Sequence, residues 1–587
     1  MIILGLNAYH GDSAACIVVD GKVICAIEEE RIRRIKHWAG LPTESIKWCL
    51  AYAGISFKDI DYIAIARDPS AHLHKKLITG LSRSSMYKFA ADRFANVLKM
   101  QDVKSAISQE LNTDKNELKA KLVKVEHHKA HIASSFLVSP FEEAACISVD
   151  GFGDFLSTMR GVGKDNKFSI IDWVEYPHSL GVFYTAFTQY LGFLNYGDEY
   201  KVMGLSAYGK PIYLDKFKEI VLLKDNGLFE LNTTYFNHAE KGVEMVWADG
   251  APLVASLYSE KLVKEFGPVR KKEEEITEHH MNIASSIQAV YEEAFFHLLN
   301  SLYEKIKLDS VALAGGCIQN SLANGKISTK TPFKNIYIPP ASYDAGLAIG
   351  AAIFVWHNES KSKDRFYMSN PYLGPDYSNR DIQDSLQVFN NELKKENYKA
   401  KYVEGEDDLC NEVAAYIAEE KIVGWFQGRT EWGPRALGNR SILVDPRIGQ
   451  MKDILNDRVK RREWFRPFAP SILEESVGEW FENSSSVPFM EKVYSIKKDK
   501  QNLIPAVCHV DGTGRLQTVS KDINHRYHKL IQCFYGLTGV PILLNTSFND
   551  NEPIVNSPKD AIQCFLNTKM DVLVLGDYII IKNEKQV

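Results

Sequence analysis

The sequence predicts an α/β protein of two domains, with a duplicated core in the first domain. Its 587 residues are enough for two or more hydrophobic cores. Two segments share one plan, in which a strand, a polar loop with an aspartate, a second strand, a tight turn and a third strand follow each other. The first segment, residues 2–30, carries Asp12, and the second, residues 145–175, carries Asp150. This repetition predicts two copies of one α/β unit with a cleft between them.

A polar run ends the first domain. Residues 357–365 read HNESKSKDR, a composition typical of linkers. We therefore predict a first domain over residues 1–356, a linker over residues 357–366 and a second domain over residues 367–587.

The composition is that of an ordinary globular protein. The formal charge of −5 gives no overall signal for nucleic acid or an anionic membrane. Nine cysteines, without a C-x-x-C pair, favour a reducing compartment over a disulfide framework. The first residues lack the pattern of a signal peptide, and the longest apolar run, residues 345–356, is shorter than the roughly 20 residues that span a bilayer, so it predicts a buried helix. We expect a cytoplasmic protein with neither nucleic acid nor a membrane as partner, and a homodimer as the general prior.

Two histidines and two aspartates predict a metal site in the first domain. His127 and His131 in HHKAH are four residues apart, so on a helix both imidazoles lie on one face and can bind a single ion. Asp150 follows in the turn DGFGD. Asp344 precedes a helix of small residues. At this position Asp344 either caps the helix or binds the same ion as the histidines. A lone H-x-x-x-H motif also occurs among ordinary surface residues, so the aspartates decide between the two interpretations.

A glycine turn predicts close approach of the backbone to a ligand. A short apolar strand ends in Gly315 and Gly316, and a helix begins near Asn320. Glycines at such a junction let a ligand approach the backbone, and a helix N-terminus favours anions. A tight turn between a strand and a helix is the alternative.

Cations, glycines and polar strand ends predict an anion site in the second domain. Guanidinium groups bind pairs of phosphate oxygens, and glycines expose amide donors. Salt bridges, a nucleic-acid patch and simple turns are the competing interpretations. The three segments concerned are VGWFQGRTEWGPRALGNRSIL with Arg429, Arg435 and Arg440, NDRVKRREWFRPFAPS with Lys460, Arg461, Arg462 and Arg466, and the final one with Arg515, Asn545, Thr546 and Ser547.

Taken together, these segments resemble the O-carbamoyltransferase family that includes the nodulation-factor and tobramycin carbamoyltransferases. The resemblance is collinear over nearly the whole chain, and the combination of motifs is highly specific. The spacing in HGDS differs by one residue from the family pattern, which leaves the role of Asp12 open. The motifs are AYHGDSAA, EEER, HHKAHIASSF, SVDGFGD, GDEYKVMGL, ALAGGCIQNSLANGKI, YDAGLAIGAA, GRTEWGPRALGNRSIL, FRPFAPS, HVDGTGRLQTV and LLNTSFN.

The resemblance implies both fold and reaction. The first domain is expected to be actin- and sugar-kinase-like, similar to the transferase that makes threonylcarbamoyl-adenosine in tRNA, and the second to be a YrdC-like α/β domain. The second domain would make carbamoyl-adenylate from carbamoyl phosphate and ATP, with Mg²⁺. The first would transfer the carbamoyl group to a hydroxyl of a small molecule, as in antibiotic and other secondary-metabolite biosynthesis. Because water would destroy the mixed anhydride, an enclosed path between the domains is expected.

The resemblance also implies roles for individual residues. His127, His131, Asp150 and Asp344 would bind a divalent ion, for which Fe²⁺ is the first choice and Mn²⁺ or Zn²⁺ the alternatives. His10, with Asp12, would take a proton from the acceptor hydroxyl. The nucleotide in the first domain would be bound by Gly151, Gly153, Lys201, Gly315, Gly316 and Asn320. Carbamoyl phosphate and ATP in the second domain would be bound by Arg429, Arg435, Lys460, Arg466, Arg515, Asn545 and Ser547.

Other functions remain to be distinguished. A tRNA-modifying transferase would share the metal motif, a sugar or acid kinase would share the duplicated core, and a regulator would bind nucleotide without consuming carbamoyl phosphate. The acceptor is not encoded in the motifs, which concern the donor. Residues 75–124, a basic and helical-looking stretch, and residues 214–268 are our candidates for selecting it.

Overall fold

The structure is a computed structural model that describes residues 1–72, 75, 103–115, 118–243, 245–247 and 249–582. The chain forms two compact units, Met1–Met368 and Ser369–Val587. Much of the basic stretch at residues 75–124 lies outside the described residues. Within the described part of the chain, no helix is both long enough and apolar enough to cross a membrane.

Two five-stranded sheets of the same strand order form the core of the first unit, with two small two-stranded sheets besides. The described strands of this unit are β1 (Ile2–Asn7), β2 (Ala14–Val19), β3 (Lys22–Glu28), β4 (Tyr62–Ile65), β5 (Lys121–Lys124), β6 (Glu143–Gly153), β7 (Leu156–Lys164), β8 (Lys167–Glu175), β9 (Val221–Leu223), β10 (Phe229–Leu231), β11 (Met245–Val246), β12 (Leu253–Val254), β13 (Ser310–Ala314) and β14 (Asn335–Tyr337). In the first sheet, β1, β2 and β3 are antiparallel neighbours, and β4 and β5 continue the sheet parallel to β1. In the second sheet, β6, β7 and β8 repeat the antiparallel part, and β13 and β14 repeat the parallel part.

The repeated order confirms the predicted duplication and the actin- and sugar-kinase-like fold of this unit. The polar loop between β1 and β2 carries Asp12, and Asp150 lies near the end of β6, before β7 begins. The two aspartates therefore lie at corresponding places in the two copies. The described helices of this unit are α1 (Glu29–Arg33), α2 (Thr43–Ala53), α3 (Val103–Glu110), α4 (His127–Phe136), α5 (Leu180–Tyr190), α6 (Glu199–Leu205), α7 (Leu214–Lys218), α8 (His238–Lys241), α9 (Glu260–Phe266), α10 (Glu278–Ile306), α11 (Ser321–Lys330) and α12 (Leu347–Glu359).

Helix α12 is the buried helix predicted from the apolar run, and its small residues allow it to pack closely. A Cβ atom added at Gly350 would lie 2.0 Å from the carbonyl oxygen of Ala130 in α4. A Cβ added at Gly5 in β1 would lie 2.2 Å from the carbonyl oxygen of Ala348. Backbone-to-backbone packing of this kind fixes α4 relative to β1 without intervening side chains.

The segment predicted as a linker differs from expectation at its start. Helix α12 continues to Glu359, so His357 is helical and buried. Further on, the guanidinium of Arg365 donates hydrogen bonds to carbonyl oxygens of Phe136, Phe141 and Ser139. A charged side chain that satisfies the carbonyls after α4 ties this segment to the first unit, which its polar composition does not reveal.

A nine-stranded mixed sheet forms the core of the second unit. Its strands are β15 (Tyr398–Tyr402), β16 (Val423–Phe426), β17 (Arg440–Val444), β18 (Ala469–Leu473), β19 (Lys492–Ser495), β20 (Thr513–Val519), β21 (Ile542–Ser547), β22 (Val572–Leu575) and β23 (Tyr578–Lys582). They lie in the order β15-β23-β22-β16-β17-β21-β18-β20-β19. The helices are α13 (Asn379–Val388), α14 (Asn390–Lys395), α15 (Glu406–Ala418), α16 (Met451–Leu455), α17 (Val477–Trp480), α18 (Lys498–Gln501), α19 (His525–Thr538) and α20 (Pro558–Asn567). The α/β class is as expected, and the YrdC-like assignment stays a prediction.

Replacing Gly350 by alanine should separate α12 from α4. The added methyl group has no room beside Ala130, so we expect a loss of about 1–3 kcal/mol in the free energy of unfolding. Gly536→Ala in α19 is the matched control, because a Cβ there would meet no atom within 4 Å. That control should instead gain about 0.5–1 kcal/mol, since alanine favours a helix more than glycine does. Urea unfolding followed by circular dichroism measures both, and equal stabilities of the two variants would contradict the close packing.

Candidate functional site

Helix α4 presents the histidine pair, and its first turn is held by Glu126. The Glu126 carboxylate accepts hydrogen bonds from the backbone N–H groups of His128 (3.1 Å) and Lys129 (2.8 Å), which caps the helix. Burial, together with the charge of Asp154, raises the pKa of Glu126 to about 7. The backbone N–H of His127 donates to Asp154 at 3.1 Å. The start of the helix is therefore fixed before either imidazole makes a contact.

Four side chains converge in front of this helix: His127, His131, Asp150 and Asp344, here called the His/Asp cluster. One donor atom from each lies within 4.8 Å of the others. Oδ2 of Asp150 lies 3.0 Å from Nε2 of His127 and 2.9 Å from Nε2 of His131. Oδ1 of Asp344 lies 3.4 Å from Nε2 of His131 and 3.8 Å from Nε2 of His127.

The backbone orients Asp150 toward the histidines. Its Oδ1 accepts hydrogen bonds from the N–H groups of Gly151 (2.7 Å) and Gly316 (3.1 Å), which leaves Oδ2 for the imidazoles. The turn at Gly316 depends on Gly315, whose φ is +104° and where a Cβ would lie 2.1 Å from the carbonyl oxygen of Val149. A carboxylate held through one oxygen is an arrangement typical of metal ligands.

Asp344 faces the cluster and does not cap a helix. It begins a short 3₁₀ turn, Asp344–Gly346, just before α12, and its side chain makes no capping hydrogen bond. Its Oδ2 lies 2.6 Å from Nδ1 of His10. Of the two roles that the sequence left open for Asp344, the geometry favours that of a ligand.

The charges of the cluster fit a divalent cation. Burial alone would raise the pKa of Asp150, but hydrogen bonds with His127 and His131 hold it well below its usual range. Burial would likewise raise the pKa of Asp344, as would the charge of Asp150, but His10 and His131 lower it to about 2. Burial would lower the pKa of His131, and the two aspartates raise it to about 9. One buried and one partly buried carboxylate face two imidazole nitrogens, a donor set that suits Fe²⁺, Mn²⁺ or Zn²⁺.

The remaining residues predicted for the first domain lie around the cluster. A Cβ at Gly153 would lie 2.0 Å from Cδ2 of His127, so this glycine makes room for the histidine ring. A Cβ at Gly151 would meet nothing within 4 Å, which leaves open space beside the backbone. Asn320 caps α11 through Ala323 and exchanges hydrogen bonds with Gln288, so its amide is used inside the protein. Nζ of Lys201 lies 3.1 Å from Asp198.

In the second unit, the predicted cations lie near one edge of the sheet. The parallel strands β18 and β20 begin at the edge where β21 ends, because β21 runs antiparallel to β18 and pairs Asn545 with Ala469. Arg466 directly precedes β18, and Arg515 lies near the start of β20. The sheet thus brings together residues that are far apart in the sequence.

Arg515 lies among like charges. Burial and the charges of Arg435, Arg462 and Arg466 hold the pKa of Arg515 well below its usual range. We call Arg515 and these three arginines the arginine cluster. The Nε atom of Arg515 is buried and has no hydrogen-bond partner among the described residues. A guanidinium whose Nε is buried among other cations indicates a place for an anion.

Lys460 and Asn545 lie at the same end of β21. Nζ of Lys460 donates to the carbonyl oxygens of Ser547 (2.5 Å) and Asn549 (2.8 Å) and to the Asn549 side chain (2.7 Å). The amide of Asn545 donates to Ala436, Ser471 and Gln517, while its Oδ1 is buried without a partner among the described residues. Ser547 donates to Asn549 at 2.8 Å.

Arg429, also predicted to bind the donor, is used differently. Its guanidinium donates to the carbonyl oxygens of Gly374 (3.0 Å) and Leu373 (2.5 Å). The neighbouring Arg440 is fully buried and donates to four backbone carbonyls. Both arginines therefore stabilise the loop before β17 through hydrogen bonds to backbone carbonyls.

Two residues near these sites were not among the assigned ones. Arg462 belongs to the arginine cluster, and its place in a run of cations was the available signal. His37 pairs with Asp12 at 2.7 Å. A lone histidine in a polar loop carries no signal in the sequence.

The fold and the sites define an α/β protein with a duplicated actin- and sugar-kinase-like first unit and a second α/β unit that gathers cations. Sequence comparison then shows that the chain belongs to the carbamoyltransferase family. The family's N-terminal part matches residues 2–353, and its C-terminal part matches residues 414–582. The resemblance seen in the motifs is thereby confirmed.

Three relatives match between 78% and 99% of the chain. An uncharacterized protein of Synechocystis is 40% identical over 99% of this chain and 96% of its own length. Nodulation protein NolNO of Sinorhizobium fredii is 39% identical over 98% of this chain and 80% of its own length. Nodulation protein NolO of Bradyrhizobium diazoefficiens is 38% identical over 78% of each chain.

Solved structures are similar only distantly. HypF of T. kodakarensis is 14% identical, with a TM-score of 0.31, over 61% of this chain and 47% of its own. Component A of the Acidaminococcus fermentans (R)-2-hydroxyglutaryl-CoA dehydratase is 13% identical, with a TM-score of 0.32, over 62% of this chain and 100% of its own.

The His/Asp cluster should bind one divalent ion, and His131→Ala should weaken that binding by more than about 100-fold. Loss of an outer-shell partner already costs about 10–100-fold, and His131 would be a direct ligand. Calorimetric titration with Fe²⁺, Mn²⁺ and Zn²⁺ in turn measures the affinity. His128→Gln is the matched control, because His128 lies on the same helix but bonds to Ser148 at 2.7 Å. Equal affinities of wild type and His131→Ala would exclude this site.

Proposed function

We propose that this protein is an ATP-dependent O-carbamoyltransferase that carries out two successive reactions. In the second unit, carbamoyl phosphate, ATP and water give carbamoyl-adenylate, phosphate and pyrophosphate, with Mg²⁺ accompanying ATP. In the first unit, the carbamoyl group passes to a hydroxyl of a small natural product or sugar, and AMP leaves. Membership of the carbamoyltransferase family supports the transfer, and the ATP-dependent route and the acceptor class are our proposal.

The observation that carries the proposal is the buried Nε of Arg515 within the arginine cluster. Each guanidinium added to a partly buried cluster of cations raises the free energy of the cluster unless an anion joins it. Carbamoyl phosphate and the triphosphate of ATP are both polyanions whose oxygens match guanidinium donors. We assign their binding to Arg435, Arg466 and Arg515, with Lys460, Asn545 and Ser547 at the adjoining end of β21.

In the first unit, we assign a divalent ion to the His/Asp cluster, with Fe²⁺ as first choice. When bound, such an ion supplies Lewis acidity, which polarises a carbonyl group and contributes several kcal/mol of transition-state stabilisation. Open space beside Gly151 supports approach of the adenylate from this side. Gly153, Lys201, Gly315, Gly316 and Asn320 complete the assignment, although the Gly316 N–H and the Asn320 amide are already bonded within the protein.

Arg515→Ala should reduce pyrophosphate formation from ATP and carbamoyl phosphate, without any acceptor, by about 10- to 100-fold. A hydrogen bond to a charged group contributes about 1.5–3 kcal/mol, and about 1.4 kcal/mol corresponds to tenfold. His131→Ala should form pyrophosphate at the wild-type rate, because its defect lies in the other unit. Arg458→Ala is the matched arginine control, since Arg458 makes a partly exposed ion pair with Asp571 at 3.0 Å.

The same assay separates the competing functions. Dependence of pyrophosphate on carbamoyl phosphate distinguishes the transferase from a kinase or a regulator. A requirement for added tRNA would favour the tRNA-modifying alternative. If folded, metal-loaded wild type forms no pyrophosphate with both substrates present, the proposed adenylation is wrong.

A further inference from the structure

A second cluster of titratable groups lies in the first unit beside the His/Asp cluster. It contains Asp12, Glu30 and His37, whose donor atoms lie within 4.8 Å of one another. At its centre Nδ1 of His37 lies 2.7 Å from Oδ1 of Asp12, here called the His37–Asp12 pair. The roles discussed so far leave His37 without a function.

Two loops are joined to form this pair. The N–H of Tyr9 donates to Gly40 at 2.8 Å, and the N–H of Ser13 donates to Trp38 at 2.9 Å. The Ser13 hydroxyl also accepts from the N–H of Gly40 at 3.1 Å. These bonds fix the loop that carries His37 against the loop that carries Asp12, so the pair is built from a rigid support.

Asp12 is held in a costly backbone conformation. Its φ is +59°, in the left-handed region, and its side chain is buried with only 7% of the residue exposed. Strain of this kind persists where the surroundings determine it, and it is concentrated at functional sites. The conformation aims the carboxylate at His37.

The other nitrogen of His37 is open. Nε2 has no hydrogen-bond partner among the residues that the structure describes, and the side chain is 31% exposed. The segment facing it contains Gly197, where a Cβ would lie 2.6 Å from Nε2. Any other residue at position 197 would cover that nitrogen. An imidazole oriented by a carboxylate at Nδ1, with Nε2 free, is the arrangement of a general base.

The pair lies close enough to the His/Asp cluster for both groups to influence Tyr196. Burial and the charges of four carboxylates raise the pKa of the Tyr196 hydroxyl. These carboxylates belong to Asp12, Asp150, Asp344 and Glu199. The Tyr196 ring meets the His37 ring edge-on, with centroids 5.3 Å apart. His10, two residues before Asp12, directs its Nδ1 at Asp344. The carboxylate that His10 contacts is therefore an assigned metal ligand, whereas the carboxylate that orients His37, Asp12, is not one of the four.

We propose that His37, oriented by Asp12, takes the proton from the acceptor's hydroxyl group in the transfer step. This inference rests on the proposed function and moves the proton-accepting role from His10 to His37. As the acceptor oxygen bonds to the carbamoyl carbon, its proton passes to Nε2 of His37. The bond from that carbon to the phosphate oxygen breaks, AMP leaves with the electron pair, and His37 later returns the proton to water.

The pair gives the transfer step a distinctive pH dependence. Burial would lower the pKa of His37, but Asp12 raises it to about 9. Only neutral His37 can accept a proton, so the rate should rise with pH into the alkaline range. Asp12→Asn removes the negative charge that raises this pKa, so the rise should move to lower pH. The charged and titratable groups around His37 are Asp12, Glu30, Lys36, Tyr196 and Glu199.

The test is AMP release from ATP and carbamoyl phosphate in concentrated glycerol, measured across pH. This readout counts transfer to glycerol and to water alike, and pyrophosphate is measured in parallel. His37→Gln should lose at least tenfold in AMP release and lose the alkaline rise, with pyrophosphate formation unchanged. Added imidazole should restore part of the rate in His37→Ala, which no structural defect would allow. His297→Gln, a more exposed histidine bonded to the Lys224 carbonyl at 3.0 Å, should match wild type.

The outcomes separate this inference from the proposed function. Absence of pyrophosphate in wild type overturns the proposed function. Normal pyrophosphate with a wild-type pH profile in both His37→Gln and Asp12→Asn overturns the role of the pair alone. AMP release that is lost in His37→Ala and unaffected by imidazole assigns His37 to structure and overturns the proposal as well.

Discussion

Like charges held close together in partly buried positions are the constraint on which both sites depend. Asp150 and Asp344 share the space in front of α4, and Arg515 lies among three further guanidinium groups. Such arrangements cost free energy until an opposite charge joins them. Close packing of the backbone stabilises the fold and offsets this free energy. Gly350 and Gly315 are examples, because no side chain fits at either position. The first unit therefore favours a cation and the second an anion.

Sequence patterns predicted those parts of the fold in which the paired strands are close to each other in the sequence. The antiparallel triplets β1–β3 and β6–β8 follow from alternation and turns within about 30 residues, and both are present. The parallel strands that extend each sheet come from distant segments, so no short window reveals their order. The polar composition of residues 357–365 predicted a linker that begins at His357. The structure places His357 in a helix, because the helix of small residues continues beyond its apolar stretch to Glu359.

The sites were predictable to the extent that their residues repeat a spacing. His127 and His131 followed from helical geometry, whereas the choice between cap and ligand for Asp344 needed the tertiary structure. Residue type alone did not separate arginines that bind carbonyls, such as Arg429, from Arg515, whose Nε is buried without a described partner. His37 was missed because its meaning comes from loop-to-loop hydrogen bonds with residues 9–13.

The duplicated architecture places Asp12 and Asp150 at corresponding turns of two similar halves. Their partners differ, since Asp150 faces two helix-borne imidazoles and Asp12 faces one from a loop. On our assignments, one copy has become the electrophilic side of a single reaction and the other its basic side. Repetition here goes with specialisation: the two halves keep an aspartate at the same turn and differ in the groups that this aspartate faces.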